Sequence, residues 1–345
     1  MIYAFKNKSI DNSSSGAAYP TIVEALFQNI ISSKGFNDSA EQSDFIVYGA
    51  AFNDDFSVSH QRANNIKECE KFRGSKYVQS NLGDSFRQVK KDLLKGKSVL
   101  FTGTPCQVNA IKIYLKEVDT SNLYLIDIIC HGTPPEAIWL DFIEWLENKY
   151  KSKLVKFSFR YQNAKWKQYP IMAEFENGTR VVNSYSLRVY IKLFFTNMIM
   201  KEGCYSCKFA NLRRPGDLTL GDFWGIELVM PEFPFKNDVS EILVNTSKGK
   251  GVIDMIQELA KSNSDIVMKE CNSKEYIKYQ HNLRHPTSKP EQTTQFWDEY
   301  KEKGIDFIIK KYTGYSLIGM LKHCIIRFLN EHSLKKIIQI LKSIN

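Results

Sequence analysis

No apolar run in this chain reaches the roughly 20 residues that a bilayer span requires, so nothing in the sequence supports a membrane-spanning segment. The opening stretch MIYAFKNKSIDNSSSG lacks the charged-then-apolar order of a secretory signal, and the default expectation is a cytoplasmic protein. Cysteine is sparse: there are seven among 345 residues, an odd number, and none precedes Cys69. That excludes a disulfide scaffold and favours thiolate chemistry. Walker and Rossmann phosphate fingerprints are missing, as are helix-turn-helix, zinc-finger and RNA-recognition signatures. The net charge of +9 does not replace them. Residues 301–345 hold nine Lys/Arg against three Asp/Glu, which leaves only +3 on the other 300 residues. A basic tail on a near-neutral body is no electrostatic footprint for nucleic acid.

What is present suits a buried core of one large or two ordinary domains, with 43% hydrophobic residues. A strand-like start at Ile2–Phe5 is followed by Asp11–Gly16, a polar turn before the helical spacing of Ile22, Val23, Leu26, Phe27 and Ile30. Asp44–Phe52 and Phe56–Ala63 read as a β-hairpin, Ile66–Arg73 as a short charged helix and Asp84–Lys95 as another helix. The centre then alternates: strand Lys97–Thr102, helix Gln107–Leu115, strand Leu123–Ile129, helix Pro135–Tyr150. That order predicts parallel strands in an α/β sheet, where ligands collect beyond the carboxyl ends of the strands. From about residue 151 the pattern turns antiparallel, with Lys153–Tyr161, Pro170–Phe175 and an Asn177-Gly178 hairpin signal. Tyr185–Met200 reads as a helix leading into Gly203-Cys204-Tyr205-Ser206-Cys207, and Leu218–Glu227 as a strand closing on a loop. The expected fold is therefore α/β, a mixed sheet core with parallel strands and an antiparallel hairpin insertion, plus a C-terminal helical tail.

Four cysteines stand in chemically suggestive places. Cys106 lies in GTPCQ and Cys130 in CHGTP, each just past a predicted strand, and Cys204 and Cys207 form a CxxC pair. Together they make a complete thiolate set for a metal ion or a cluster. Ligands scattered through an α/β core suit a cluster beside a cofactor better than a self-contained zinc knuckle, and a thioredoxin-type dithiol is disfavoured because CYSC follows a helix instead of a strand. Unrelated buried cysteines are the bland alternative, as they are for Cys69, Cys271 and Cys324. His131 beside Cys130 reads equally as an acid/base, a ligand or a polar turn residue. The SSSG run offers a phosphate cradle or merely a helix cap. Arg213 and Arg214 read as anion-holding residues or as exposed loop arginines.

The runs SSSG, VYGAAF, RGSKYVQS, FTGTPCQV, IDIICHGTPP, CYSCKFAN and GDLTLGDFWGIE, in this order, resemble the beta-subunit family of coenzyme F420 hydrogenase/dehydrogenase over about Tyr3 to Lys250. The resemblance implies an iron–sulfur flavoprotein with a 4Fe-4S cluster beside FAD. The family's cysteine motifs fall on Cys106, Cys130, Cys204 and Cys207 as cluster ligands. Its flavin-pocket motifs fall on Ser13, Ser14, Ser15 and Gly16, on Arg73, Gly74, Ser75, Lys76 and Tyr77, on Gly103 and Thr104, and on Asp217, Gly221, Asp222 and Trp224. It divides the chain into 1–96 with the SSSG and RGSKYVQS motifs, 97–260 as the α/β core with cysteines and hairpin, and 261–345 as a helical, basic extension.

Two departures follow from the same comparison. Many relatives carry an N-terminal ferredoxin-like segment, and this chain starts after the point where it would end, so a separate ferredoxin or another donor protein is expected to supply electrons. Ala17 stands where relatives typically show a second glycine. The implied activity is electron transfer from donor through cluster and flavin to a small organic acceptor, with His131 or Lys76 protonating it. Relatives associated with surface-polysaccharide biosynthesis point to a sugar derivative. The rival from another class is a non-catalytic zinc-binding scaffold or partner subunit of a biosynthetic complex. In the tail, Leu317, Met320, Leu321, Cys324 and Phe328, then Ile337, Ile338 and Leu341, form apolar stripes beside Lys322, Arg327, Lys335 and Lys336. Packing on a domain or partner is the favoured reading of these stripes, and peripheral contact with an anionic membrane is the alternative.

Overall fold

The computed structural model describes residues 1–10, 13–34, 44–161 and 170–316, together with 318, 319, 321 and 325. The chain gathers into two compact units. The first comprises Met1–Glu136, Phe159–Tyr169 and Lys201–Thr287, and the second Ala137–Ser158, Pro170–Met200 and Ser288–Asn345. In chain order the strands are β1 (Ile2–Asn7), β2 (Phe45–Phe52), β3 (Val58–Ala63), β4 (Ser98–Gly103), β5 (Leu123–Ile128), β6 (Leu154–Ser158), β7 (Met172–Phe175), β8 (Arg180–Val182), β9 (Leu218–Asp222), β10 (Ser240–Val244) and β11 (Ile266–Glu270).

Eight of them form one mixed sheet in the first unit, ordered β11-β1-β10-β9-β5-β4-β2-β3. The four central strands β2, β4, β5 and β9 run parallel, and the outer pairings are antiparallel. Side chains of a strand alternate between faces, and β2 shows the consequence. Phe45 and Val47 join an apolar layer with helices Ala18–Lys34 and Ser247–Ser262, whereas Ile46 and Tyr48 join another with helices Ser85–Leu94 and Pro105–Tyr114. Each such side chain contributes about 1.5–3 kcal/mol, and coverage of both faces explains why the central strands read as nearly unbroken apolar runs.

The hairpin expected at 44–63 is β2–β3, and the expected strand–helix alternation is β4, Pro105–Tyr114, β5 and Glu136–Tyr150. The antiparallel segment is a separate sheet in the second unit, β6-β7-β8, turned by Asn177-Gly178 with Gly178 at φ 81. That unit packs Trp139 against Phe157 and Tyr190 at ring separations of 5.1 and 4.9 Å. Its helix Tyr185–Phe195 ends short of the expected Met200, because Asn197 takes a left-handed φ of 65. Two elements lacked a clear sequence signal: β11, which pairs with β1, and the helix Thr293–Thr313. The two tail helices expected over Leu317–Ile344 fall, but for residues 318, 319, 321 and 325, outside the described residues.

Candidate redox site

Because β4, β5 and β9 are parallel neighbours, the turns that follow them meet at one edge. Gly103 pairs with Asp127, Ile128 with Leu220, and the Ile129 N–H reaches the Leu220 carbonyl at 2.8 Å. This lines up the Cys106 turn, the Cys130 turn and the GDFWG loop. The CxxC segment is fastened to them: the Lys201 N–H donates to the Thr133 carbonyl at 3.1 Å, and Thr133 Oγ1 lies 3.9 Å from Cys204 Sγ. Lys201 Nζ also donates to Gln79 Oε1 at 2.7 Å, which brings in the RGSKYVQS loop.

All four cysteines lie on these joined segments. Burial pushes the Cys130 thiol up to about 12, and the charges of Cys204, Cys106 and Cys207 add to the rise, against a Gly132 N–H that favours the thiolate. Four thiolates so placed repel one another unless a cationic centre compensates them, and a soft four-sulfur donor set fits iron–sulfur or zinc chemistry. Among the described residues no three His, Cys, Asp or Glu side chains are arranged to hold one metal ion together.

The remaining motifs converge on a residue that sequence reasoning missed, Arg160. Its guanidinium makes a fork to Asp222, with Nη1 to Oδ1 at 2.9 Å and Nη2 to Oδ2 at 2.7 Å, while Nη1 also donates to the Ser14 carbonyl at 2.8 Å and Nε to the Tyr77 hydroxyl at 2.9 Å. Three loops far apart in sequence are thus held by one planar cation. The only sequence signal was an arginine at the end of an alternating strand pattern.

Within the loops, small residues serve close packing. Ser14 Oγ accepts the Ser75 N–H at 2.7 Å and Ser15 Oγ donates to the Val239 carbonyl at 3.0 Å. A Cβ on Gly16 would meet the Phe5 carbonyl oxygen at 2.1 Å. Ser13 is buried, and Gly74 turns with φ 84. The Ser15 hydrogen is therefore committed inside the fold, whereas Ser14, which only accepts, keeps its own hydroxyl hydrogen. Ala17, at φ 65, has the backbone conformation that glycine takes most readily.

Lys76 Nζ donates to the carbonyls of Lys71 at 3.1 Å and Arg73 at 2.9 Å, and burial pushes its ammonium down to about 7. Arg73 pairs with Glu70. His131 is oriented from outside its own motif: Asn282 Nδ2 donates to Thr287 Oγ1, so Asn282 Oδ1 accepts from His131 Nδ1 at 3.2 Å, and Thr287 donates to the His131 carbonyl. Asn282 and Thr287 sit in an aperiodic polar stretch that gave no warning. Trp224 is 56% exposed. Gly225 behind it lies so close to Tyr279 that a Cβ would come within 2.4 Å of the ring.

Asp217 is elsewhere. At the amino end of β9 its Oδ2 accepts the Leu125 N–H at 2.8 Å and its Oδ1 the Thr246 hydroxyl at 2.7 Å, so it joins β5 to the start of helix Ser247–Ser262. Arg214 is neither an exposed loop residue nor an anion holder. Its side chain is 1% exposed, paired with Asp127 at 0%, and donates to the Phe209 and Ile128 carbonyls. Arg213 is exposed.

The chain is thus an α/β protein with four thiols and a clamped set of small-residue loops at the carboxyl edge of its sheet. The sequence profile of the C-terminal region of the coenzyme F420 hydrogenase/dehydrogenase beta subunit matches residues 96–270, half of the chain, and the chain belongs to that family of oxidoreductase subunits. In fold it is similar to a chain of the F420-reducing [NiFe] hydrogenase complex from Methanosarcina barkeri, with a TM-score of 0.52 over 89% of this chain and 94% of that one. At 14% identity that likeness concerns the fold alone. No curated protein matches the chain. None of the described helices is long and apolar enough to cross a membrane.

Proposed function

We propose that this chain is an iron–sulfur flavoprotein that carries electrons from a protein donor to a small organic acceptor. The observation that supports it most is that the segments carrying Cys106, Cys130, Cys204 and Cys207 meet at one edge of the sheet, joined by the β4–β5–β9 register and by the Lys201 N–H to the Thr133 carbonyl. A 4Fe-4S cluster held by those sulfurs would supply one-electron steps and an FAD two-electron steps.

The chain's own part is placement and proton supply. Arg160 holds the Ser14, Tyr77 and Asp222 loops together. The N–H groups at the start of helix Ala18–Lys34 and around Gly74 are suited to the pyrophosphate, and Trp224 offers an exposed ring face. Lys76, held near neutral pH by burial, supplies a proton to the acceptor, with His131 the alternative donor. The partners in this reading are a ferredoxin-type donor and, as acceptor, a sugar derivative of surface-polysaccharide biosynthesis, both in the cytoplasm; the basic tail packs on a domain or partner, with an anionic membrane surface as the alternative.

Protein prepared anaerobically should be brown, absorb broadly near about 400 nm, and contain iron, sulfide and flavin. A colourless protein with one zinc and no flavin would falsify the proposal. Chemically reduced protein mixed with nucleotide sugars or with a deazaflavin should show which of them is reduced, and liposome co-sedimentation tests the membrane contact.

A further inference from the structure

The turn that carries Cys106 is the end of a hydrogen-bond chain whose direction follows from its fixed members. The Thr102 carbonyl can only accept, so His60 Nε2, 2.9 Å away, carries the proton and donates to it. His60 Nδ1 is then a lone pair and accepts the Ser80 hydroxyl at 2.9 Å. With its hydrogen committed, Ser80 Oγ accepts from Gln107 Nε2 at 2.9 Å. That sets the amide with Oε1 toward Thr104, where it accepts the Thr104 backbone N–H at 3.0 Å. Burial pushes the His60 imidazolium down to about 4, so the ring is neutral at ordinary pH and the chain keeps this sense.

One rotor is left undetermined. Thr104 Oγ1 lies 3.0 Å from Gln107 Oε1 and 3.1 Å from Cys106 Sγ. The amide oxygen already holds an N–H, whereas a metal-bound thiolate is an anion that accepts hydrogen bonds strongly. We propose that the Thr104 hydroxyl donates to the Cys106 sulfur and so favours the reduced form of a centre bound there. Adding one electron makes that centre more negative, and a donor aimed at one of its sulfurs stabilises the more negative state. Thr104 is thus a tuning residue oriented through Gln107, Ser80 and His60. The inference rests on the reading that the four cysteines hold an iron–sulfur cluster.

The test is a potentiometric titration of the full chain with its cluster in place, followed by electron paramagnetic resonance. Thr104→Val keeps the shape and removes the hydroxyl. At a fixed solution potential it should lower the ratio of reduced to oxidised cluster about tenfold, about 59 mV for one electron, and Thr104→Ser should restore the ratio. Gln107→Met disturbs the same helix start but leaves the hydroxyl with sulfur as its acceptor, so its ratio should equal or exceed that of the unaltered protein. An unchanged ratio in Thr104→Val, or a fall in Gln107→Met, overturns the inference. If Thr104→Val retains no cluster, Thr104→Ala takes its place, with the same fall in the ratio expected and an unchanged ratio overturning the inference. Iron and sulfide analysis of the unaltered protein comes first: if it holds no cluster, the reading of the four cysteines fails and takes this inference with it.

Discussion

Glu241 is a carboxylic acid in an apolar layer. It is 0% exposed on β10, its Oε2 accepts from Gln280 Nε2, and among the described residues its Oε1 has no hydrogen-bond partner. Burial pushes it from 4.5 up to about 8, so it is neutral in the fold at pH 7. The stability that depends on its neutral form is complete below pH 4.5 and is lost as pH rises toward about 8. Glu241→Gln should therefore gain on the order of 3 kcal/mol relative to the unaltered protein at pH 9 and little at pH 5, read from urea denaturation at both values. Arg160 offers a second case at this scale. Arg160→Leu strands Asp222, whose side chain is 17% exposed, and should cost about 2 kcal/mol. Arg160→Lys should recover only part of that, since an ammonium cannot reproduce the two-point fork.

At the scale of one element, the helix Ser247–Ser262 carries its own control. Gly249, in its first turn, lies so close to β9 that a Cβ would meet the Asp217 carbonyl oxygen at 2.2 Å, whereas a Cβ on Gly251 meets nothing within 4 Å. Gly249→Ala should destabilise by about 3 kcal/mol or more through overpacking. Gly251→Ala should stabilise by about 0.5–1 kcal/mol, because alanine loses less backbone freedom in a helix. Thermal melts of the two variants should move in opposite directions, and a shared direction would show that this helix does not lie against β9 as described. The start of the helix also explains Asp217. Thr246 Oγ1 accepts the Gly249 N–H at 3.1 Å while donating to Asp217, so that carboxylate belongs to a helix cap.

For the molecule as a whole, the Asp127–Arg214 pair ties the segment after the CxxC to β5. Asp127 Oδ2 accepts the Gly216 N–H at 2.8 Å, and Arg214 reaches Asp127 Oδ1 and the Phe209 carbonyl. Arg214→Met leaves a buried carboxylate without its cation and should cost about 3–5 kcal/mol. If the four cysteines hold a cluster as proposed, iron retained after gel filtration should fall with it, because Cys204 and Cys207 lose their anchorage. His60 contributes to the acid side of the stability profile. Its folded value is depressed from 6.5 to about 4, so the stability it carries is complete above pH 6.5 and drains away as pH falls through 4. Denaturation midpoints should decline over that interval, and His60→Asn should flatten the decline.

Much of this was legible in the residues. The strand–helix alternation from Lys97 to Tyr150, the Asn177-Gly178 turn and the placing of Cys106 and Cys130 past strand ends are local consequences of periodicity and turn chemistry, so the sequence by itself determined an α/β sheet with both cysteine turns at one edge. Side-chain chemistry beyond the chain's local neighbourhood was not legible. Nothing near Arg160 in sequence announces Ser14, Tyr77 and Asp222 as its partners, nothing near His131 announces Asn282, and Arg214 looks like a surface arginine until Asp127 lies beside it. Which polar groups are consumed inside the fold and which remain to hold a ligand depends on contacts between segments as much as 224 residues apart. Those contacts exist only once the sheet order brings β4, β5, β9 and β10 side by side, and that ordering the tertiary structure alone decided.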